Sequence, residues 1–257
     1  MRLEAAMYLP DFLNLGIAFS KYFTAIPALD DAVRREAYRI RHSVYCDDLA
    51  YEKSRADGLE TDDYDAHSMQ CVLKHRTNGD YVGCIRLVLA RPDDPHYPLP
   101  FEKACASVID RSVADPARFP RDKIAEVSRL AVISRYRRRK GEASRPADIT
   151  EDDFGTRDQP RFPFIPVGLY LAMMAQAQRH GIETLFVLTQ PRLARHLSRL
   201  GVEIKRIGDG VEHRGLRVPS LISVNAVISG FGVFVRPLFD VIAGQLDTAY
   251  RQLEHRG

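Results

Sequence analysis

The sequence predicts one mixed α/β domain, a mainly antiparallel sheet covered by helices, and three observations carry that prediction. SMQCVLKH and DYVGCIRLVLA read as two apolar strands, joined by RTNGD with Asn-Gly at its centre, so they pair as an antiparallel hairpin. The second half of the chain alternates strand, helix, strand, helix, strand. A length of 257 residues with 45% hydrophobic and 28% charged side chains is enough for a full-sized core.

The elements follow in order. DDAVRREAYRIRHSVYCDDLAYE places Val33, Ala37, Ile40 and Val44 at helical spacing with a basic opposite face. The hairpin comes next, and KIAEVSRLAVIS is a further strand. RPADITEDDFGTRDQPRFP is polar and marked by proline, an inserted loop. FIPVGLYLAMMAQAQRHG is a helix closed by Gly181, and ETLFVLT a short buried strand. PRLARHLSRLG reads as a helix with Pro191 in its first turn and Gly201 at its close. VEIKRIG and SLISVNAVI are strands, and VRPLFDVIAGQLDTAYRQLEH is a last amphipathic helix. No composition shift divides the chain. Residues 1–257 form a single domain with a helical cap to about residue 65 and a helical extension from about residue 229.

Composition excludes several classes. A formal charge of +3 does not by itself imply nucleic-acid binding. Cys46, Cys71, Cys84 and Cys105 form no CxxC pair and have no histidine at ligand spacing; three of them sit in apolar or alternating surroundings and read as packed thiols in a reduced, cytoplasmic protein without a metal. LISVNAVISGFGVFV is shorter than the roughly 20 apolar residues that cross a bilayer, which leaves peripheral membrane contact open. There is no GxSxG elbow, no phosphate-binding GxxxxGK[ST] loop and no GxGxxG after a strand. The expected chemistry is therefore direct transfer, with no covalent protein intermediate.

Charges inside strands are the informative feature. Arg86 in VGCIRLVL and Glu126 and Arg129 in AEVSRLAV interrupt apolar patterns, where an unpaired charge costs several kcal/mol. They call for partners, supplied by one another or by Asp62 and Asp65 of ETDDYDAH. One reading is an ion-pair network pinning the N-terminal helix to the sheet. Glu126 also invites a functional reading, since a buried carboxyl has its pKa raised and can act as a base.

Arg41, Tyr45, Tyr51, Asp62, Asp65, Arg86, Glu126, Ser128 and Arg129 together resemble the signature of the acyl-homoserine-lactone synthases over residues 30–135. That family carries an arginine, two aromatics, paired aspartates, an arginine in a GxxRL strand and an E-x-S-R strand. The longer chain, PRLARHLSRLG and VEHRGLRVPSLISV are closer to a sister group, the N-acyl amino acid synthases and the acyltransferases associated with the PEP-CTERM/exosortase system. Both resemblances imply the GNAT fold, the fold of the acyl-CoA N-acyltransferases. They also imply transfer of a fatty acyl group to an amine from an acyl-phosphopantetheine thioester, on acyl carrier protein or coenzyme A, with no permanently bound cofactor. The preferred product is an N-acyl amino acid, with an amino acid as acceptor. An acyl-homoserine lactone and a short acetyl amide are the alternatives within the fold. Tyr51 stands where the lactone synthases usually have Trp, and the chain contains no Trp.

The resemblance gives Glu126 the amine proton, with Ser128 and Arg129 beside it, and makes Arg41, Tyr45, Tyr51, Asp62, Asp65 and Arg86 the shell that holds the N-terminal cap. A regular pleat puts Glu126 and Ser128 on one face and Arg129 on the other, so a shared pocket requires a bulge or a neighbour that reaches around. Arg135, Arg137, Arg138, Arg139 and Lys140 of RYRRRK suit an acidic acyl carrier protein, and Arg192, Arg195 and Arg199 would extend that rim. An acyl tunnel is expected between sheet and helix, where Met173 and Met174 are candidate lining. The alternative from another class is a non-catalytic basic module for an anionic surface. A nucleic-acid role is disfavoured by the short run and its single aromatic, Tyr136.

Overall fold

The computed structural model describes residues 14–137, 162–190, 202–213 and 215–255. Helix α1 (Leu15–Tyr22) leads into strand β1 (Phe23–Pro27), and helix α2 (Asp31–Arg41) runs on into a π-helical turn, His42–Asp48. A 3-10 turn, Asp63–His67, precedes β2 (Ser68–His75) and β3 (Tyr81–Leu89). Short helix α3 (Pro100–Ala104), β4 (Ile124–Val132), α4 (Phe164–Arg179) and β5 (Thr184–Thr189) follow. The chain ends with β6 (Lys205–Arg206), β7 (Val211–Glu212), β8 (Leu216–Ser223), α5 (Val224–Ser229) and α6 (Arg236–Glu254).

The described strands form one sheet in the order β1-β2-β3-β4-β5-β8-β6, with β7 on β8. Pairing is antiparallel except between β4 and β5. That parallel pair runs only from Ile124↔Thr184 to Val127↔Val187. Beyond Val127↔Val187, β4 continues to Val132 and β5 to Thr189 with no further pairing between them, so the two strands part at this point. The outer edge at β1 is covered: Ala25 N–H donates to Gln245 Oε1 of α6 at 2.8 Å, which blunts strand addition there.

Alternation along the strands separates two faces. Leu73, Ile85, Leu87, Ala125, Val127, Leu185 and Val187 join α1, α4 and α6 in the main core. The opposite face holds two smaller clusters. Val72, Cys84 and Ala131 pack under α2, while Val88, Ile124 and Phe186 pack under Phe101 of α3. Between those clusters runs a polar row, Gln70↔Arg86↔Ser128.

Gly83 lets α4 sit close to β3. A Cβ there would lie 2.8 Å from the Ala131 carbonyl oxygen and 3.0 Å from Leu169 Cδ1. We expect Gly83→Ala to destabilise the fold by about 1–3 kcal/mol in thermal denaturation, as overpacking does.

The hairpin, β4, α4, β5 and α6 lie where the sequence reading put them. SLISVNAVI is corrected: the strand ends at Ser223, whose hydroxyl accepts from Ala226 N–H and starts α5, so Asn225 is helical. VEIKRIG contributes only the two residues of β6. β1, α3 and the 3-10 turn are additions to the sequence reading, and the PRLARHLSRLG helix lies outside the described residues. All four cysteines are free and buried. Among the described residues no helix is long and apolar enough to cross a membrane, and no His/Cys/Asp/Glu group could hold a metal ion.

Candidate active site

The polar row is completed by a bulge in β4. Cys84 pairs with Ala131 and Arg86 with Ser128, so two steps along β3 oppose three along β4. Arg129 takes up the extra residue with φ of 51°, the left-handed region that β-carbons disfavour. Of the two arrangements that would allow a shared pocket, the bulge is the one present. It brings Arg129 to the same side as Arg86 and Glu126.

Three arginines and three carboxylates then close a ring. Arg41 Nε donates to Glu60, and Glu60 Oε1 accepts from Arg129 Nη2 at 3.0 Å. Arg129 Nη2 also donates to Asp62 Oδ2 at 3.0 Å, and Asp62 Oδ1 accepts from Arg86 Nη1 at 2.6 Å. Arg86 Nη1 reaches Asp65 Oδ1 at 3.0 Å, and Asp65 returns to Arg41 Nη1 at 2.6 Å. Arg41, Glu60 and Arg86 are buried, so these ions exist only because each has two partners of opposite sign. Burial alone would push the Glu60 carboxyl up, but Arg129 and Arg41 hold it below its ordinary value. Asp62 is likewise held low against burial by Arg86 and Arg129.

Local structure aims each member. Asp62 accepts from Tyr64 N–H and Asp65 from Asp62 N–H, a reciprocal cap that fixes the 3-10 turn while both carboxylates face the arginines. Arg41 ends α2, and Tyr45 lies four residues on in the π-helical turn. The Arg129 guanidinium sits 5.6 Å from the centre of the Tyr45 ring, whose hydroxyl donates to the Leu130 carbonyl at 2.9 Å. Tyr51 is tied in through its N–H, which donates to the Tyr45 carbonyl at 2.8 Å. Ser128 Oγ accepts from Arg86 Nε at 3.1 Å. Glu60 is the member that sequence reasoning missed, although it opens the acidic run ETDDYD.

Glu126 stands apart from the ring. It is 3% exposed, and its Oε2 accepts from Phe101 N–H at 2.7 Å. Burial pushes its carboxyl up to about 8, against the opposing pull of that N–H and of Arg86 and Arg129. A carboxyl at about 8 accepts a proton from an attacking amine far more readily than an ordinary glutamate at 4.5 does.

The described start of the basic run is anchored to the fold. Arg135 pairs with Asp80 at 2.6 Å, and Arg137 pairs with Asp48. Tyr136 accepts from Asn78 and donates to Asp80. Arg138, Arg139, Lys140, Arg192, Arg195 and Arg199 lie outside the described residues. On the other face, Val167, Tyr170, Leu171, Met174, Val202, Ile222, Phe231 and Val235 line a narrow apolar cleft. Met174 is in that lining, whereas Met173 is buried core.

Residues 40–145 match the acetyltransferase (GNAT) domain. The acyl-homoserine-lactone synthase of Aeromonas hydrophila is 27% identical over 176 residues, which cover 68% of this chain and 72% of the relative. That of Vibrio anguillarum is 22% identical over 195 residues, 76% and 85% of the two chains. Among solved structures, TofI in a ternary complex with an inhibitor and MTA aligns with a TM-score of 0.56 at 19% identity, covering 86% of this chain and 99% of TofI. The acyl-homoserine-lactone synthase LasI aligns at 0.54 and 18%, covering 82% and 96%. This chain has the GNAT fold and is an enzyme of the acyltransferase class.

Proposed function

We propose that this enzyme moves a fatty acyl group from a phosphopantetheine thioester to the amine of an amino-acid-derived acceptor, with Glu126 as the base. The observation that carries this reading is a carboxyl buried in β4, raised by burial well above the ordinary glutamate value, beside the point where β4 and β5 part.

The thioester arm would lie in that split, where β4 backbone no longer pairs with β5. A freed N–H there would stabilise the oxyanion. The amine nitrogen attacks the thioester carbonyl and its surplus proton goes to Glu126. The C–S bond breaks, and the thiolate leaves and takes up a proton. The ion ring keeps α2 and the 3-10 turn fixed on the sheet around this point, and Arg86 and Arg129 lend Glu126 positive potential. The donor is acyl carrier protein or acyl-coenzyme A, and for the former the exposed Arg135 begins a basic rim.

Two products fit. The curated relatives favour an acyl-homoserine lactone, and the synthase BjaI, of like fold, has been solved with SAM and isopentyl-CoA. Tyr51, in place of the Trp usual in lactone synthases, favours an open-chain N-acyl amino acid, the product that the exosortase-associated resemblance implies. Lipid extraction and mass spectrometry after heterologous expression read acyl chain and acceptor together. An acylated lactone or an acyl amino acid is the expected result; a strain whose extract contains neither, with the protein soluble and folded, overturns the proposal.

A further inference from the structure

If Glu126 is the base, the described fold keeps the acceptor from it. Only 3% of the residue is exposed, and Oε2 is engaged by the Phe101 N–H. The cover is α3, a five-residue helix. A helix of that length does not persist on its own, so its contacts decide whether it stays closed.

Those contacts lie on two sides. Inward, the Phe101 ring stacks on Phe186 with centroids 4.4 Å apart and planes at 15°. Outward, the Lys103 ammonium lies 5.3 Å from the ring centres of both Tyr64 and Tyr97. Tyr64, His67 and Tyr97 stand 5.5–5.7 Å from one another and form a small aromatic cage. Among the described residues no carboxylate lies within ion-pair distance of Lys103; its charge rests on the two tyrosines, through their rings and the Tyr64 hydroxyl, with Asp63 adding a weaker pull from farther off. Tyr64 belongs to the turn capped by Asp62 and Asp65, so the cage joins the cover to the ion ring. Glu102 and Arg121 brace the cover: Glu102 Oε2 accepts from Leu99 N–H at 2.8 Å and from Arg121 Nη1 at 3.1 Å, and Arg121 Nη2 donates to the Tyr97 carbonyl.

We propose that α3 is the acceptor gate of this enzyme and that Lys103, seated over Tyr64 and Tyr97, is its latch. The gate rests on the reading of Glu126 as base. Lys103 and the two tyrosines are positioning residues: closed, they keep the Phe101 N–H on the carboxylate; open, they admit the amine. Opening also exposes Cys105, which follows α3 directly and is fully buried in the closed form.

Cys105 supplies a readout that needs no turnover. The full-length chain is labelled with iodoacetamide and followed residue by residue by mass spectrometry, with Cys71 and Cys84 in the sheet as controls. In Lys103→Met, Cys105 labelling is expected to rise about fivefold, as loss of exposed cation–π contacts predicts, with Cys71 and Cys84 unchanged. Lys103→Arg, which restores a cation over the rings, should return the slow rate. With S-adenosylmethionine or the amino acid found by product analysis as acceptor, kcat/KM for that acceptor should rise by the same factor. An unchanged Cys105 rate, or one rising only in step with Cys71 and Cys84, overturns the latch. Faster labelling without a change in kcat/KM overturns the gate. Failure of the base reading shows elsewhere, as turnover retained by Glu126→Gln.

Discussion

Glu126→Gln is expected to lower acyl transfer by about 10²–10⁴-fold, the usual contribution of a general base, while leaving the chain folded. Gln keeps the shape of the side chain and the acceptor oxygen for the Phe101 N–H, but takes no proton from the amine. The wild-type rate should climb with pH through about 8, where the Glu126 carboxyl ionises, and this limb should vanish in the variant.

Stability has the opposite sign. Burial raises the folded-state value of Glu126 above its ordinary 4.5, so its contribution is full below 4.5 and is lost as pH rises through about 8. Denaturant melts at pH 9 should therefore show Glu126→Gln more stable than wild type, with the difference shrinking as pH falls and gone once pH is below 4.5. Turnover near the wild-type level in the variant would rule out Glu126 as the base whatever the melts show.

What the sequence made legible follows the range of the forces involved. β2 spans SMQCVLKH from end to end because an alternating run stops at a turn signal, and both are local. Arg86, Glu126 and Arg129 stood out because an ion in an apolar strand must be paired, so Asp62 and Asp65 could be nominated as partners. Glu60 could not, since it sits in GLETDD, where a charged residue is unremarkable and only tertiary folding brings it between Arg41 and Arg129. The bulge was legible as one of two ways, the other being a neighbour that reaches around, in which Glu126 and Arg129 could share a pocket. Its position at Arg129 depends on pairing with β3. Helix α3 went unread in PDDPHYPLPFEKA, where closely spaced prolines leave no helical period to see. Its helicity comes from contacts with Phe186, Tyr64 and Tyr97 rather than from its own five residues.

Arg41→Met should be the most damaging change to stability, costing about 3–5 kcal/mol, because it removes one partner from a buried ionic ring. Arg41 is fully buried, and its loss leaves Glu60 with Arg129 and Asp65 with Arg86 in a ring that has become net negative. Against a total stability of about 5–15 kcal/mol this is a large fraction, visible as a lowered midpoint in denaturant. Apolar repacking separates charge imbalance from lost volume. Arg41→Met with Glu60→Gln removes one ion of each sign, and the double variant should be more stable than the sum of the two single losses. Additive losses would mean that the six ions act as separate pairs rather than as a ring. Acid is the complementary probe. The arginines hold Glu60 and Asp62 below their ordinary values despite burial, so their contribution is present above those values and fades as pH falls through the lowered ones. Arg41→Met releases that hold on Glu60, so its share of the loss should begin at a higher pH in the variant, and the acid transition should move upward with it.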